Sequence, residues 1–145
     1  MKDPSRQHMT VRMMRESNDR HLRPSRLIAV QAGADIREAI NLMQVYSISQ
    51  LPVLDGKRIV GSLDERALMH RLMAAAHCLW GAVASFMQPP LPSLDEEDTV
   101  TALYQLLQQG APGVIVTRAG EHIGIITPAD VVALKVYSAS NEYEI

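Results

Sequence analysis

The sequence lacks the features that mark secreted, membrane-spanning and disulfide-rich proteins. Its 145 residues include a single cysteine, Cys78, so no disulfide can form within the chain and a reducing compartment is expected. The longest apolar stretch, residues 72–87, is interrupted by polar residues and glycine, and falls short of the roughly 18 apolar residues of a membrane span. The N-terminus has no apolar signal segment. These absences predict a globular cytoplasmic protein.

Patterns typical of catalytic and metal centres are also missing. The chain has five histidines: His8, His21, His70, His77 and His122. Their spacing matches no zinc motif, and neither a glycine-rich phosphate loop nor a Gly-x-Ser-x-Gly elbow is present. The acidic run at residues 95–98 precedes a predicted helix, where carboxylates complement the helix dipole. We therefore expect no metal and no catalytic residues, and an enzyme is the weakest interpretation.

The chain does contain an internal repeat. An offset of 63 residues aligns residues 35–68 with residues 98–131 without a gap, and most apolar positions keep register. Examples are Asp35 on Asp98, Ala39 on Ala102, Val53 on Val116 and Gly61 on Gly124. A fixed period indicates a duplicated unit. Two copies are too few for a solenoid, so we expect a closed pseudo-twofold pair whose intervening cleft carries the function.

Each copy is predicted as β-α-β-β-α, which places the chain in the α+β class. The first unit, residues 27–73, is predicted as a strand at 27–30, a helix at 36–46 capped by Asp35, strands at 51–54 and 58–63, and a helix at 64–73. The second unit, residues 91–137, is predicted as a strand at 91–94, a helix at 99–109, strands at 113–117 and 121–126, and a helix at 130–137. Residues 74–90 are predicted to connect the units, with a helix at 74–87 that Pro89 and Pro90 stop, and residues 138–145 are predicted as a polar tail.

Residues 1–26 carry a concentration of positive charge. They contain seven Lys and Arg against three acidic residues, whereas the rest of the chain is net acidic. A solvated leader or linker that docks loosely on the acidic body explains this composition. A basic arm that binds nucleic acid is the alternative, although the segment has no aromatic residue and no groove-reading motif.

One segment at the end of the repeat combines structural and chemical features. In Gly124-Ile125-Ile126-Thr127-Pro128-Ala129-Asp130 a strand ends and a helix begins. Thr127 suits the N-cap, Pro128 the first helical position, and Asp130 the third position of a capping box. The same carboxylate could instead hold the vicinal hydroxyls of a ribose, with the helix N-terminus near a charged group. The segment alone fits both interpretations.

Combined with the repeat, this segment resembles the CBS domain family. The lead strand, the capped helix, the Ser-Gln-Leu-Pro-Val strand and the Ile-Gly-Ile-Ile-Thr strand before a helix carry the resemblance over about residues 27–137. Two such units in tandem look like a Bateman module. Three segments are most similar to the C-terminal regulatory region of bacterial cystathionine β-synthases: residues 49–53, 61–66 and 86–92.

The resemblance implies an adenosine-binding regulator. It assigns Thr127 and Asp130 to the ribose and polar groups, with Ile125 beneath. It places the adenine against Leu27, Ile28 and Ile48, with the backbone of Ser49, Gln50 and Leu51 reading its edge. In the other cleft Asp64 stands where Thr127 does and Ala67 where Asp130 does, so that cleft is expected to be degenerate.

The resemblance also suggests the ligand and the partners. Few cations are available to a phosphate at the predicted cleft: Arg23 and Arg26 precede the lead strand, and Lys57, Arg58 and Arg118 lie near the turns. This favours S-adenosylmethionine or AMP over ADP and ATP. A homodimer is expected through the helices at residues 64–73, 74–87 and 130–137, together with an enzyme that the module regulates. No membrane partner is expected. The alternatives are a nucleic-acid-binding protein that uses the basic arm and a purely structural dimerisation module.

Overall fold

The computed structural model describes residues 9–18, 27–74 and 80–133, which form two compact units. The first unit comprises residues 28–91, and the second combines residues 1–27 with residues 92–145. In chain order the elements are α1 (Val11–Asn18), β1 (Val30–Gln31), α2 (Ile36–Val45), β2 (Gln50–Asp55), β3 (Arg58–Asp64), α3 (Glu65–Ala74), β4 (Ser93–Asp95), α4 (Val100–Gln108), β5 (Val114–Arg118), β6 (Glu121–Ile126) and α5, described for residues 128–133.

Both units share one sheet topology. In the first unit β1 pairs parallel with β2, which pairs antiparallel with β3, and the second unit repeats this order with β4, β5 and β6. Both hairpins shift register at equivalent points, between Val53 and Leu54 and between Val116 and Thr117. The predicted α+β class and β-α-β-β-α order are confirmed.

The gapless offset of 63 is wrong at the start of each unit. Asp35 caps α2 by accepting from the N–H of Arg37, and Thr99 caps α4 by accepting from the N–H of Ala102. These two N-caps lie 64 residues apart. The C-caps, Tyr46 and Gln109, return to an offset of 63. Helix α4 is therefore one residue shorter than α2, and Asp98 is not a cap.

The lead strands begin later than predicted. Residues 27–29 lie outside the sheet and are half-buried, whereas Val30 pairs with Val53 and Gln31 with Leu54. In the second unit the strand starts at Ser93 rather than at Leu91. The apolar residues ahead of each strand pack without joining the ladder. The apolar runs of the sequence therefore predicted the start of each paired strand too early.

The interpretation of residues 1–26 as a loosely docked leader is wrong for residues 9–16. Val11 and Met14 on α1 are 0% and 1% exposed and belong to the core of the second unit. The N–H of Val11 donates to the carbonyl of Asp98 and that of Arg12 to the carbonyl of Glu96. This segment is therefore an integral part of the second unit.

The connecting helix predicted at residues 74–87 is also not observed at residues 80–87. Residues 80–90 contain only the short 3-10 turn Val83–Ser85, and Val83 is fully buried in the core of the first unit. Residues 75–79 lie outside the described ranges. The N–H of Val83 bonds to the carbonyl of Ala34 and that of Ala84 to the carbonyl of Ala32. Backbone pairing with the unit replaces helical hydrogen bonds in this segment.

Candidate functional site

The entrance of α5 is held together by Thr127 and Asp130. Oδ2 of Asp130 accepts from the backbone N–H of Thr127 at 2.8 Å and from its hydroxyl at 3.1 Å. The N–H of Asp130 donates to the Thr127 carbonyl at 3.1 Å. The carboxylate therefore supplies one half of a capping box, the bond from the third helical residue back to the N-cap N–H, and Thr127 precedes the first helical turn as predicted.

The second carboxylate oxygen of Asp130 is left for another donor. An ionised carboxylate offers about four lone-pair sites. Oδ2 uses two of them for Thr127, and Oδ1 accepts no hydrogen bond from the described residues of its own unit. Asp130 is only half-buried, so donors from outside can reach it. The box orients one oxygen and leaves two lone-pair sites, which suits a pair of adjacent hydroxyls.

Ile125 and Leu27, two other predicted ligand contacts, also belong to the second unit. Ile125 is half-buried and pairs with Ile115 across the hairpin. Gly113 admits its side chain, because a Cβ at position 113 would lie 3.0 Å from Cδ1 of Ile125. Leu27 is half-buried and lies outside the strands.

The residues predicted to cradle the base lie in the first unit. Ile28 and Ile48 pack, half-buried, against its core, and Leu51 is fully buried within it. The Ser49 carbonyl already accepts from the N–H of Glu65 at 3.0 Å. The N–H of exposed Ser49 has no hydrogen-bond partner among the described residues. Gln50 and Leu51 lie opposite Asp64 and Leu63 on the neighbouring strand β3.

Ile48 and Ser49 also line a groove of about 620 Å³ within the first unit. The groove lies between α2 and α3, and its lining residues are Ile40, Met43, Gln44, Ser47, Ile48, Ser49, Glu65, Leu68, Met69 and Leu72. Leu68 is the buried residue of α3, whereas Met69 is 51% and Met73 72% exposed. Helix α3 therefore has an apolar surface beside the groove.

The entrance of α3 differs from that of α5. Oδ1 of Asp64 accepts from the N–H of Arg66 at 2.9 Å, so Asp64 caps α3 from the position directly before the helix. Ala67 occupies the place that Asp130 has in α5, as the equivalent hairpin registers show. Position 67 at this helix entrance consequently offers no carboxylate for a sugar, unlike position 130 in α5.

The positive charges considered for a phosphate are partly engaged. Nε and Nη2 of Arg118 pair with both oxygens of Glu96, and the pKa of Glu96 is lowered, mainly by this hydrogen bond. Lys57 and Arg58 are exposed at the first hairpin turn. Arg23 and Arg26 lie outside the described residues. The Glu96–Arg118 pair has no signal in the sequence beyond the acidic run itself.

Residues 9–18, 27–74 and 80–133 hold no group of three or more His, Cys, Asp or Glu side chains placed for a metal ion. No helix in those ranges is long and apolar enough to cross a bilayer.

Comparison with known families identifies the repeated unit. The model of the CBS domain matches residues 21–74 and residues 83–137. These matches cover well over half of the 145 residues, so the chain belongs to the CBS domain family and carries two domains in tandem, a Bateman module. Residues 9–18, which complete the second unit, lie outside both matches.

Solved structures share this fold at low sequence identity. A CBS-domain-containing protein from Agrobacterium tumefaciens is 22% identical, with a TM-score of 0.72 over 93% of this chain and 98% of that chain. CBSX2 in complex with AMP is 21% identical, with a TM-score of 0.66 over 90% and 98%. The CBS domain pair of MJ0100, in complex with 5-methylthioadenosine and S-adenosyl-L-methionine, is 18% identical, with a TM-score of 0.63 over 77% and 92%.

Proposed function

We propose that this chain is a regulatory module that binds an adenosyl compound and performs no catalysis itself. The observation that carries the proposal is the Asp130 carboxylate, which is oriented by Thr127 and keeps Oδ1 for the ligand. Two solved structures of the same fold hold adenosine derivatives. In this proposal Asp130 holds the ribose and the N–H of Ser49 donates to the base, with Leu27, Ile28, Ile48 and Ile125 as apolar contacts.

S-adenosylmethionine and AMP are the proposed ligands. Polyphosphates need several cations, whereas Arg118 is already paired with Glu96. A sulfonium zwitterion can be held by a carboxylate and backbone groups, and a single phosphate by a helix N-terminus. The likeness to the regulatory region of cystathionine β-synthases favours S-adenosylmethionine, and AMP is the alternative.

Calorimetric titration of the full chain tests this proposal. AMP, ADP, ATP and S-adenosylmethionine are titrated separately into wild type, Asp130→Ala and Asp64→Ala. Each substitution removes one helix-capping carboxylate, so both are expected to lower stability by about 0.5–2 kcal/mol. Only Asp130→Ala is expected to lose binding, by about 10- to 150-fold, because a charge-assisted hydrogen bond is removed. Equal losses in both variants, or a preference for ATP, would contradict the proposal.

We also propose that a second copy of this chain packs against α3. Exposed Met69 and Met73 on this helix favour burial in an interface. Residues 80–87 do not form the helix that was expected to contribute, and residues 134–137 lie outside the described ranges. Sedimentation of wild type and Met73→Glu tests the dimer, and an unchanged mass distribution would contradict it. A cytoplasmic location and a regulated enzyme complete the proposal.

The nucleic-acid alternative is weakened by the structure of the basic segment. Arg12 pairs with Glu97 at 3.1 Å, and the Arg15 guanidinium donates to the carbonyl of Ile123 at 3.3 Å. Both cations therefore contact the second unit. A structural dimerisation module remains the second candidate function, and failure of all four ligands to bind would favour it.

A further inference from the structure

Helix α1 and the entrance of α5 share one hydrophobic core. Val11 and Met14 belong to the same cluster as Ile126, and Val131 packs against that cluster. Ile126 directly precedes Thr127, and Val131 directly follows Asp130. The Thr127–Asp130 capping box is therefore flanked on both sides by side chains whose packing includes α1.

Polar contacts tie α1 to the strand that leads into this box. The Arg15 guanidinium donates to the carbonyl of Ile123, which lies on β6 three residues before its end. At the other end of α1, the N–H groups of Val11 and Arg12 bond to the carbonyls of Asp98 and Glu96 at 2.9 and 2.8 Å. Seating of α1 thus constrains β6 as well as the core beneath α5.

The equivalent segment of the first unit is anchored differently. Both segments begin alike: the N–H of Ala84 donates to the carbonyl of Ala32 in the first unit, as the N–H of Arg12 donates to the carbonyl of Glu96 in the second. The first-unit segment then continues beside β3, where Ser62 and Gln88 exchange two backbone hydrogen bonds of 3.0 and 2.7 Å. In the second unit the chain forms α1 instead, and a side chain reaches β6. The contact with β6 in the second unit is accordingly open to disruption by a single substitution.

We propose that α1 is a strap that positions the Thr127–Asp130 box, so that its docking is coupled to adenosyl binding. This inference rests on the proposed function. Val11, Met14 and Arg15 act as positioning residues and touch no ligand. Coupling between two events is reciprocal: a ligand that prefers the seated strap protects α1, and a loosened strap lowers ligand affinity by the same factor.

Hydrogen exchange of the full wild-type chain is the first test. It is measured with and without saturating AMP and with and without saturating S-adenosylmethionine. We expect whichever ligand binds to slow exchange at the amides of Val11 and Arg12, whose acceptors lie in the second unit. Binding without any change at these amides would overturn the strap inference.

Calorimetry of matched variants is the second test. Arg15→Gln and Met14→Ala loosen the strap. Gly110→Ala is the control: it destabilises the same unit through its left-handed backbone conformation, at a position where the added Cβ would meet no atom within 4 Å. We expect the strap variants to lose about fivefold or more in affinity for the adenosyl ligand, and the control to change little. An equal loss in all three at equal loss of thermal stability would overturn the inference. Should Met14→Ala fail to fold, Arg15→Gln and the exchange data decide.

The tests separate this inference from the function on which it rests. If wild type binds none of AMP, ADP, ATP and S-adenosylmethionine, the proposed function is wrong and the strap inference falls with it. If wild type binds and the strap variants behave like the control, the function stands and only the coupling is wrong.

Discussion

Nε of Arg118 lies 2.7 Å from Oε1 of Glu96, and its Nη2 lies 3.0 Å from Oε2, so the two side chains are paired at both oxygens. The Glu96 side chain is 8% exposed, whereas that of Arg118 is 60% exposed. The pair joins the loop before α4 to the hairpin β5–β6. It also removes Arg118 from the cations that a ligand phosphate could use.

This pair predicts a dependence of stability on acid. The hydrogen bond to Arg118 lowers the pKa of Glu96 below its unfolded value of about 4.3. A lowered pKa contributes stability that is complete above the unfolded pKa and is lost as pH falls through the folded pKa. We expect Glu96→Gln to flatten the fall in unfolding free energy below about pH 4.3. Urea unfolding across pH measures this, and an unchanged acid limb would contradict it.

Ser47 predicts a stabilising substitution. It follows the C-cap of α2 with φ of +53°, and the N–H of Ile48 bonds to the carbonyl of Met43 as in a Schellman motif. Its counterpart after α4 is Gly110, with φ of +101°. A left-handed residue other than glycine costs about 1–2 kcal/mol, partly offset by the extra freedom of glycine in the unfolded chain. Ser47→Gly is therefore expected to add about 0.5–1 kcal/mol in urea unfolding.

The reverse substitution at the equivalent position is the control. Gly110→Ser places a side chain in a left-handed conformation without any atom within 4 Å of its Cβ. The expected loss of about 0.5–1 kcal/mol is backbone strain less the freedom that glycine has in the unfolded chain, with no steric contribution. Effects of the same sign at both positions would show that the motif does not determine them.

Local patterns explain why the order of elements could be predicted. Asp35 caps α2, Gly110 ends α4, and Ala119 with Gly120 turns the second hairpin, all as residues near in sequence require. Beside the entrance of α5, Thr127 and Asp130 are three residues apart, and the helical period alone brings them together. Their hydrogen bond could therefore be predicted from the sequence.

The remaining features depend on contacts between distant residues. Arg15 and Ile123 are 108 positions apart, and Arg118 and Glu96 are 22 apart. Helix α1 has eight residues and, among the residues whose burial is described, buries only Val11 and Met14. Two apolar positions in a segment rich in Lys and Arg are too few to predict an amphipathic helix. The lead strands of two and three residues are similarly hidden by apolar neighbours.

Truncation at two points separates the basic charge from the strap. Deleting residues 1–8 removes Lys2 and Arg6 and keeps α1, so we expect stability and adenosyl affinity to be retained. Deleting residues 1–18 also removes the buried side chains of Val11 and Met14, at a cost of about 3–6 kcal/mol to the second unit. Thermal unfolding and calorimetry measure both effects. Salt-dependent nucleic-acid binding that disappears with residues 1–8 would instead support the basic-arm alternative.

Gly61 predicts the most severe effect of a single methyl group. A Cβ at this position would lie 2.7 Å from Sδ of Met87 and 2.8 Å from the carbonyl oxygen of Gln88. The thioether can move, but the carbonyl belongs to the backbone segment that pairs with Ser62 and cannot retreat without breaking those bonds. We expect Gly61→Ala to destabilise the first unit by about 1–3 kcal/mol.

Gly33 supplies the matched control for that substitution. It has no heavy atom within 4 Å of an added Cβ and does not adopt a left-handed conformation. Gly33→Ala is therefore expected to be neutral or to stabilise by about 0.4–1 kcal/mol, through the unfolded chain. Unfolding in urea ranks the variants, and adding Met87→Ala to Gly61→Ala should restore only part of the loss. Full recovery in the double variant would show that the thioether, rather than the carbonyl of Gln88, excludes a side chain at position 61.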